Sequence, residues 1–92
     1  MAGSDDGRLS TQELAKAALK TVEELTGYDA EAVTGLEWDG EFWQITVDAL
    51  ELPRVPNTTD VIGEYAVRLD EGGTLHGYKR TGRHVRGQVD SG

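Results

Sequence analysis

The hydrophobic positions change period once along the chain, and that change divides it into a helix and a set of strands. In LSTQELAKAALKTVEELTG, Leu14, Ala18, Val22 and Leu25 recur at spacings of four, four and three, with Ala15 and Leu19 widening the stripe. This predicts one amphipathic helix of about four turns. Its start is legible: Ser10 can cap, Glu13 three residues on completes a capping box, and Leu9 with Leu14 forms a hydrophobic staple. Gly27 is a natural stop, because it enters the left-handed conformation at no steric cost. Lys16, Lys20, Glu23 and Glu24 fall mostly off the stripe.

Beyond Tyr28 the period becomes two. Trp43, Ile45, Val47 and Ala49 share one face of a strand, and Gln44, Thr46 and Asp48 the other. Asp39-Gly40, between Leu36-Glu37-Trp38 and Phe42-Trp43, signals a hairpin turn. Near Leu50 and Leu52 the apolar phase slips, which marks a bulge or the end of the core-facing strand. A second hairpin follows in DVIGEYAVRLDEGGTLHGYKRTGRHV, with Val61, Tyr65, Val67 and Leu69 on one face and Glu64, Arg68 and Asp70 on the other. A two-residue turn at Gly72-Gly73 would set Leu69 opposite His76, Val67 opposite Tyr78 and Tyr65 opposite Arg80. The last strand is weakly apolar, as suits an edge strand blunted by charge. The expected fold class is α+β: one N-terminal amphipathic helix packed on a four-stranded antiparallel β-meander. Helix stripe and strand faces need each other, because neither is stable alone at this length.

Domain organisation follows. Residues 9–86 form a single domain, with a disordered stretch at 1–8 and a flexible tail at 87–92. The 92 residues, 37% hydrophobic and 28% charged, suit one soluble globule with a modest core. No apolar run approaches the roughly 18 residues of a membrane-spanning helix. MAGSDDGR has neither the basic start nor the apolar stretch of a signal peptide. The absence of cysteine excludes disulfides, thiolate catalysis and thiolate metal sites, and favours the cytoplasm for so small a domain.

The net charge of −8 argues against nucleic acid as a partner. The charge is also unevenly placed. Up to Thr74 there are five basic residues against sixteen acidic ones, a balance of −11; from Leu75 onward four against one, a balance of +3. Two readings of that basic end stand side by side. It folds back on the protein's own acidic body, or it meets an acidic partner through its arginines.

Pro53 and Pro56 stand between the two hairpins. Each fixes φ and removes an amide donor, so neither belongs in a central ladder. They hold Arg54-Val55 extended, and Asn57-Thr58-Thr59-Asp60 supplies acceptors that close a turn before Val61. The segment is either a rigid link between hairpins or a stiff presentation of Arg54 and Val55 to a partner.

Catalytic equipment is thin. Ser4, Ser10 and Ser91 lie near the termini or serve as a cap, so no Ser/His/Asp arrangement is readable. His76 and His84 stand eight apart on one strand, without metal-ligand spacing. The carboxylates of Glu23-Glu24 and of Glu37, Asp39 and Glu41 read as a solvated face and a turn rim. The glycines form no phosphate-binding loop. The aromatic residues read as core filling, except that Trp38 or Phe42, whichever lies away from the helix, can anchor a partner. The expectation is a protein without catalytic residues, metal or cofactor.

The sequence ELTGYDAEAVTGL, then WQITVDALELPRVPNTTDVIGEYAVRLDEGGTLHGYKRTGRHVRGQ, resembles the gas vesicle protein O family. The likeness rests on ELTG, V-x-G-L, W-x-I-x-V-x-x-L-E-L, the linker RVPNTTDV, G-E-Y-x-V-x-L-D, and the ending G-x-L-x-G-Y-x-R-x-x-R with V-R-G-Q, from Leu14 to Gln88. It departs at Gly82-Arg83-His84, where a bulkier segment is expected. The resemblance implies a non-enzymatic accessory role in assembling gas vesicles, with the shell protein, an AAA-type ATPase and other accessory proteins as partners. It carries over no catalytic or cofactor residue. With such a role, the candidate partner-binding residues are Arg54, Val55, Lys79, Arg80, Arg83 and Arg86. The layout also resembles a PepSY-type protein-binding module, and a small-ligand binder using a helix–sheet cleft is a third class. A homo-oligomer through the edge strand is conceivable.

Overall fold

A computed structural model describes residues 8–87, so the expectations for the segments 1–7 and 88–92 lie outside the described residues. The order is one helix, α1 (Thr11–Thr26), then β1 (Asp29–Trp38), β2 (Trp43–Leu52), a 3-10 turn (Asn57–Thr59), β3 (Val61–Leu69) and β4 (Leu75–Val85). The four strands form one antiparallel sheet in the order β1-β2-β3-β4, the expected helix-on-meander.

The helix begins as its sequence dictates. The Glu13 amide donates to Ser10 Oγ (3.1 Å) and the Ser10 amide to Glu13 Oε1 (2.8 Å), closing the capping box. Gly27 ends it at φ +79°. Leu14, Ala18 and Val22 are buried against Ile45, Val47, Ala49, Tyr65, Val67 and Leu69. Burying each large aliphatic side chain contributes about 1.5–3 kcal/mol. Leu25, expected in the stripe, is 42% exposed. It stands in the last turn, close to where Glu23 accepts the amide of Ala30 at the start of the edge strand β1.

Three strand details differ from expectation. β1 is ten residues long and starts at Asp29, well before Leu36. Its pairing with β2 is irregular between Ala30 and Ala32 and between Val33 and Gly35, which erases the period of two that would announce a strand. The β3–β4 connection is not a two-residue turn but the five residues 70–74, organised by Asp70, whose Oδ1 accepts from the Gly72 and Thr74 amides. Consequently Leu69 faces Leu75, not His76, while a register shift restores Val67 opposite Tyr78 and Tyr65 opposite Arg80. The phase slip near Leu50 is a bulge at Glu51, between Leu50 and Leu52.

The face away from the helix carries Gln44, Thr46, Asp48, Glu64, Arg68, Lys79 and His84, as their cross-strand pairings require. Ile62 is buried on that polar face, between Leu50 and His84. Of Trp38 and Phe42, the exposed one is Trp38, but it belongs to the helix face, tilted against Trp43 with ring centroids 5.4 Å apart. Phe42 lies half-buried on the other face, against His76 at 4.7 Å and beneath the Arg68 guanidinium at 5.7 Å.

Candidate functional site

The six candidate residues come from the link between β2 and β3 and from β4, and the structure divides them. Arg80 is engaged with Glu51. That glutamate sits in the bulge of β2 and lies across Gly63 of β3, where a Cβ would come within 2.1 Å of its Oε2. Arg80 donates from Nε to Oε2 (2.8 Å) and from Nη2 to Oε1 (2.6 Å), a bidentate pair. The Tyr65 hydroxyl donates to the same Oε2 at 2.5 Å. One carboxylate therefore ties together three strands. The Arg80 hydrogen bonds hold the Glu51 carboxyl below its ordinary range, and burial followed by the Glu51 contact pushes the Tyr65 hydroxyl up to about 12.

Arg86 is engaged as well. Its Nε donates to Asp60 Oδ2 (3.0 Å) and its Nη2 to Glu31 Oε1 (2.7 Å), while its amide donates to the Asp60 carbonyl (2.7 Å). Asp60 is 5% exposed, and its Oδ1 accepts the Arg54 amide at 2.7 Å. The proline link is thus closed by Asp60, supported by the Thr59 hydroxyl donating to the Pro56 carbonyl (2.7 Å). The peptide bond between Val55 and Pro56 is cis. Arg80 and Arg86 are both turned onto the protein's own acidic body.

Arg54, Lys79 and Arg83 remain. Among the described residues, none of their side chains makes a hydrogen bond or ion pair. Lys79 pairs across to Ala66 and so lies on the polar face, beside Arg68, Gln44 and Gly77 around a shallow hollow of about 200 Å³. Arg83 pairs across to Gly63 and lies on the helix face. There Arg83 and Arg54 line a cavity of about 560 Å³ together with the apolar Tyr28, Leu52, Val61 and Val85 and the polar Glu51 and His84. Val55 stands beside it in sequence, 100% exposed. Of the six candidates, the structure brings Arg54 and Arg83 together.

Pattern reading missed the apolar part of this corner. Leu52 and Val85 are exposed ends of strands whose inner positions look the same in sequence. The signal for Glu51 was present in two parts, the phase slip at Leu50 and a glycine in the middle of a strand, which marks a close approach. Neither part says what approaches. Among the described residues no group of three or more His, Cys, Asp or Glu side chains is placed to hold a metal ion. No described helix is long and apolar enough to cross a membrane.

Comparison with known proteins decides the kinship. The family model described as gas vesicle synthesis protein GvpO matches residues 2–90. The chain belongs to the GvpO family. It is 40% identical over 81 residues to gas vesicle protein O of a Streptomyces species, covering 88% of this chain and 63% of that one. It is 31% identical over 87 residues to gas vesicle protein O of Haloferax mediterranei, covering 94% and 62%. With gas vesicle protein O1 of Halobacterium salinarum it shares 32% over 72 residues, 78% and 60%. The chain thus spans somewhat under two thirds of the length of these relatives. No solved structure matches it significantly.

Proposed function

We propose that this chain is an accessory protein of gas vesicle assembly that works without catalysis, through contacts with other gas vesicle proteins. The observation that carries the reading is the family match across residues 2–90. The shell protein, an AAA-type ATPase and other accessory proteins are the proposed partners, and the cytoplasm and its vesicle intermediates the proposed location. The surface supports contact chemistry: the interior between helix and sheet is filled by side chains, whereas two unpaired guanidinium groups stand over exposed apolar residues.

The test is affinity recovery of tagged protein from cells expressing a full gas vesicle gene set, at low and at high salt. Recovery of defined vesicle proteins that weakens with salt is expected, because exposed charge pairs are screened. Vesicle formation should also fail when the gene is removed. Recovery of no vesicle protein, with vesicles forming in the gene's absence, would overturn the proposal.

A further inference from the structure

A four-stranded sheet is roughly 15–20 Å wide, while a helix with its side chains is about 10 Å across. One helix cannot cover such a face, and α1 crosses it on a diagonal. At its N-terminal end the Leu9 amide donates to the Glu71 carbonyl (2.8 Å), and the Leu9 side chain fills the space over Gly73 in the β3–β4 loop. At its C-terminal end the Glu23 carboxylate accepts the Ala30 amide (3.0 Å) at the start of β1. The helix therefore begins over one edge of the sheet and ends over the opposite edge. The corner left open is where β2 and β4 end and β3 begins, and this corner is the 560 Å³ cavity.

Its chemistry is uneven in a way that selects an occupant. Tyr28, Leu52 and Val85 are exposed apolar groups around it, with Val61 half-buried between them. Arg54 and Arg83 rim it without a hydrogen bond or ion pair among the described residues. Glu51 also lines the cavity, but its carboxylate is already satisfied by Arg80 and Tyr65, and Arg83 acts on it only through longer-range charge. The chain as a whole carries a charge of −8, yet here an apolar floor meets two unpaired cations. An apolar surface flanked by arginines with no internal partner suits apolar side chains flanked by carboxylates.

We propose that this corner docks an acidic amphipathic segment of a partner protein, its apolar side chains in the cavity and its carboxylates on Arg54 and Arg83. The proposal deepens the reading above and rests on it in taking the occupant to be a protein. It also divides the arginines of β4 and its flanks. Arg80 and Arg86 hold the fold, whereas Arg83, with Arg54 from the proline link, recognises the partner.

The test uses the full chain and a labelled amphipathic peptide of leucine and glutamate. A peptide with lysine for glutamate and one with serine for leucine serve as comparisons. Fluorescence anisotropy gives affinity, and amide shifts in NMR give location. The acidic amphipathic peptide should bind and move the amides of Leu52, Val61, Arg83 and Val85. The double variant Arg54→Glu/Arg83→Glu should weaken it at least about tenfold. Lys16→Glu/Lys20→Glu, an equal charge change on the outer face of α1, should leave affinity within about twofold.

Absence of binding, equal binding of the lysine peptide, or equal loss in the α1 variant would overturn the proposal. So would concentration-dependent dimerisation of the chain that the double variant abolishes, because the occupant would then be a second copy. Restoration of vesicles in a gene-deleted strain by wild type but not by the folded double variant would support docking. If the wild-type chain itself restores none, the vesicle-assembly reading fails, and the peptide experiment still decides the docking site.

Discussion

The carboxylate of Glu51 occupies the space where a side chain on Gly63 would begin, and so Glu51 in this position requires a glycine at 63. A Cβ at Gly63 would lie 2.1 Å from Glu51 Oε2 and 2.4 Å from Cδ. Gly63→Ala must then displace the carboxylate from Arg80 and Tyr65. The expected cost is about 1–3 kcal/mol, from overpacking and lost hydrogen bonds. In an ordinary strand the same change would be neutral or stabilising by roughly 0.5 kcal/mol, since glycine is the less favourable strand residue. In a Glu51→Ala background Gly63→Ala should therefore become neutral or favourable. Chemical denaturation of the four proteins in this cycle checks it; an equal cost in both backgrounds would show that the strain lies elsewhere.

The same contact contributes at both ends of the pH profile. Glu51 titrates below its ordinary value of 4.5 when folded, chiefly because Arg80 bonds its charged form. Its contribution is present above that value and disappears as pH falls through the lowered one. Tyr65 is shifted the other way, from 10 to about 12, chiefly by burial. Its contribution is present below pH 10 and disappears as pH rises toward 12. Glu51→Gln should flatten the acid decline in the denaturation midpoint, and Tyr65→Phe the alkaline one. Tyrosinate absorbance gives an independent check, because Tyr65→Phe should remove a component that ionises near pH 12.

The helix stripe offers a simpler comparison. Leu14 is fully buried, whereas Leu25 is 42% exposed although the two occupy the same stripe in sequence. Leu14→Ala should cost about 2–5 kcal/mol, and Leu25→Gln no more than roughly 0.5. Thermal unfolding of both variants checks this. Comparable losses would mean that the last turn of α1 packs on the sheet more closely than its exposure indicates.

That comparison shows what the sequence could and could not disclose. The helix, its cap and the meander were legible because Ser10, Glu13 and Gly27 act locally and because Ile45, Val47 and Ala49 alternate cleanly. Leu25 was misplaced because periodicity records the direction of a side chain around the helix axis, not where the sheet beneath it ends. The first seven residues of β1 were hidden by two irregularities that break the alternation. At the loop end of the β3–β4 pair, Leu69 was set opposite His76 and not Leu75, because the Gly72-Gly73 signal outweighed Asp70, whose side chain organises a longer loop. In the candidate site, the proline link, the basic end of the chain and the implied assembly role grouped Arg54, Lys79, Arg80, Arg83 and Arg86. Their separation depends on strand parity across two bulges and on carboxylates distant in sequence, of which Glu31 stands 55 positions from Arg86.

That distant contact gives the last prediction. Asp60 is nearly buried and accepts two hydrogen bonds on its carboxylate, from the Arg54 amide and from Arg86 Nε. Asp60→Ala leaves both donors without their acceptor, and should cost about 2–4 kcal/mol. Asp60→Asn keeps an oxygen for the Arg54 amide and should cost less, about 1–2 kcal/mol. Arg86→Ala should cost less than Asp60→Ala, because the arginine is partly exposed to screening water and the Arg54 amide still bonds Asp60 Oδ1, although Oδ2 loses its partner. The double variant should lose less than the sum, since both changes remove the same contact. Urea denaturation measures all four. If Arg86→Ala leaves stability unchanged while weakening recovery of vesicle proteins, Arg86 belongs with Arg54 and Arg83 in recognition. A loss of stability with recovery unchanged places it with Arg80 in holding the fold.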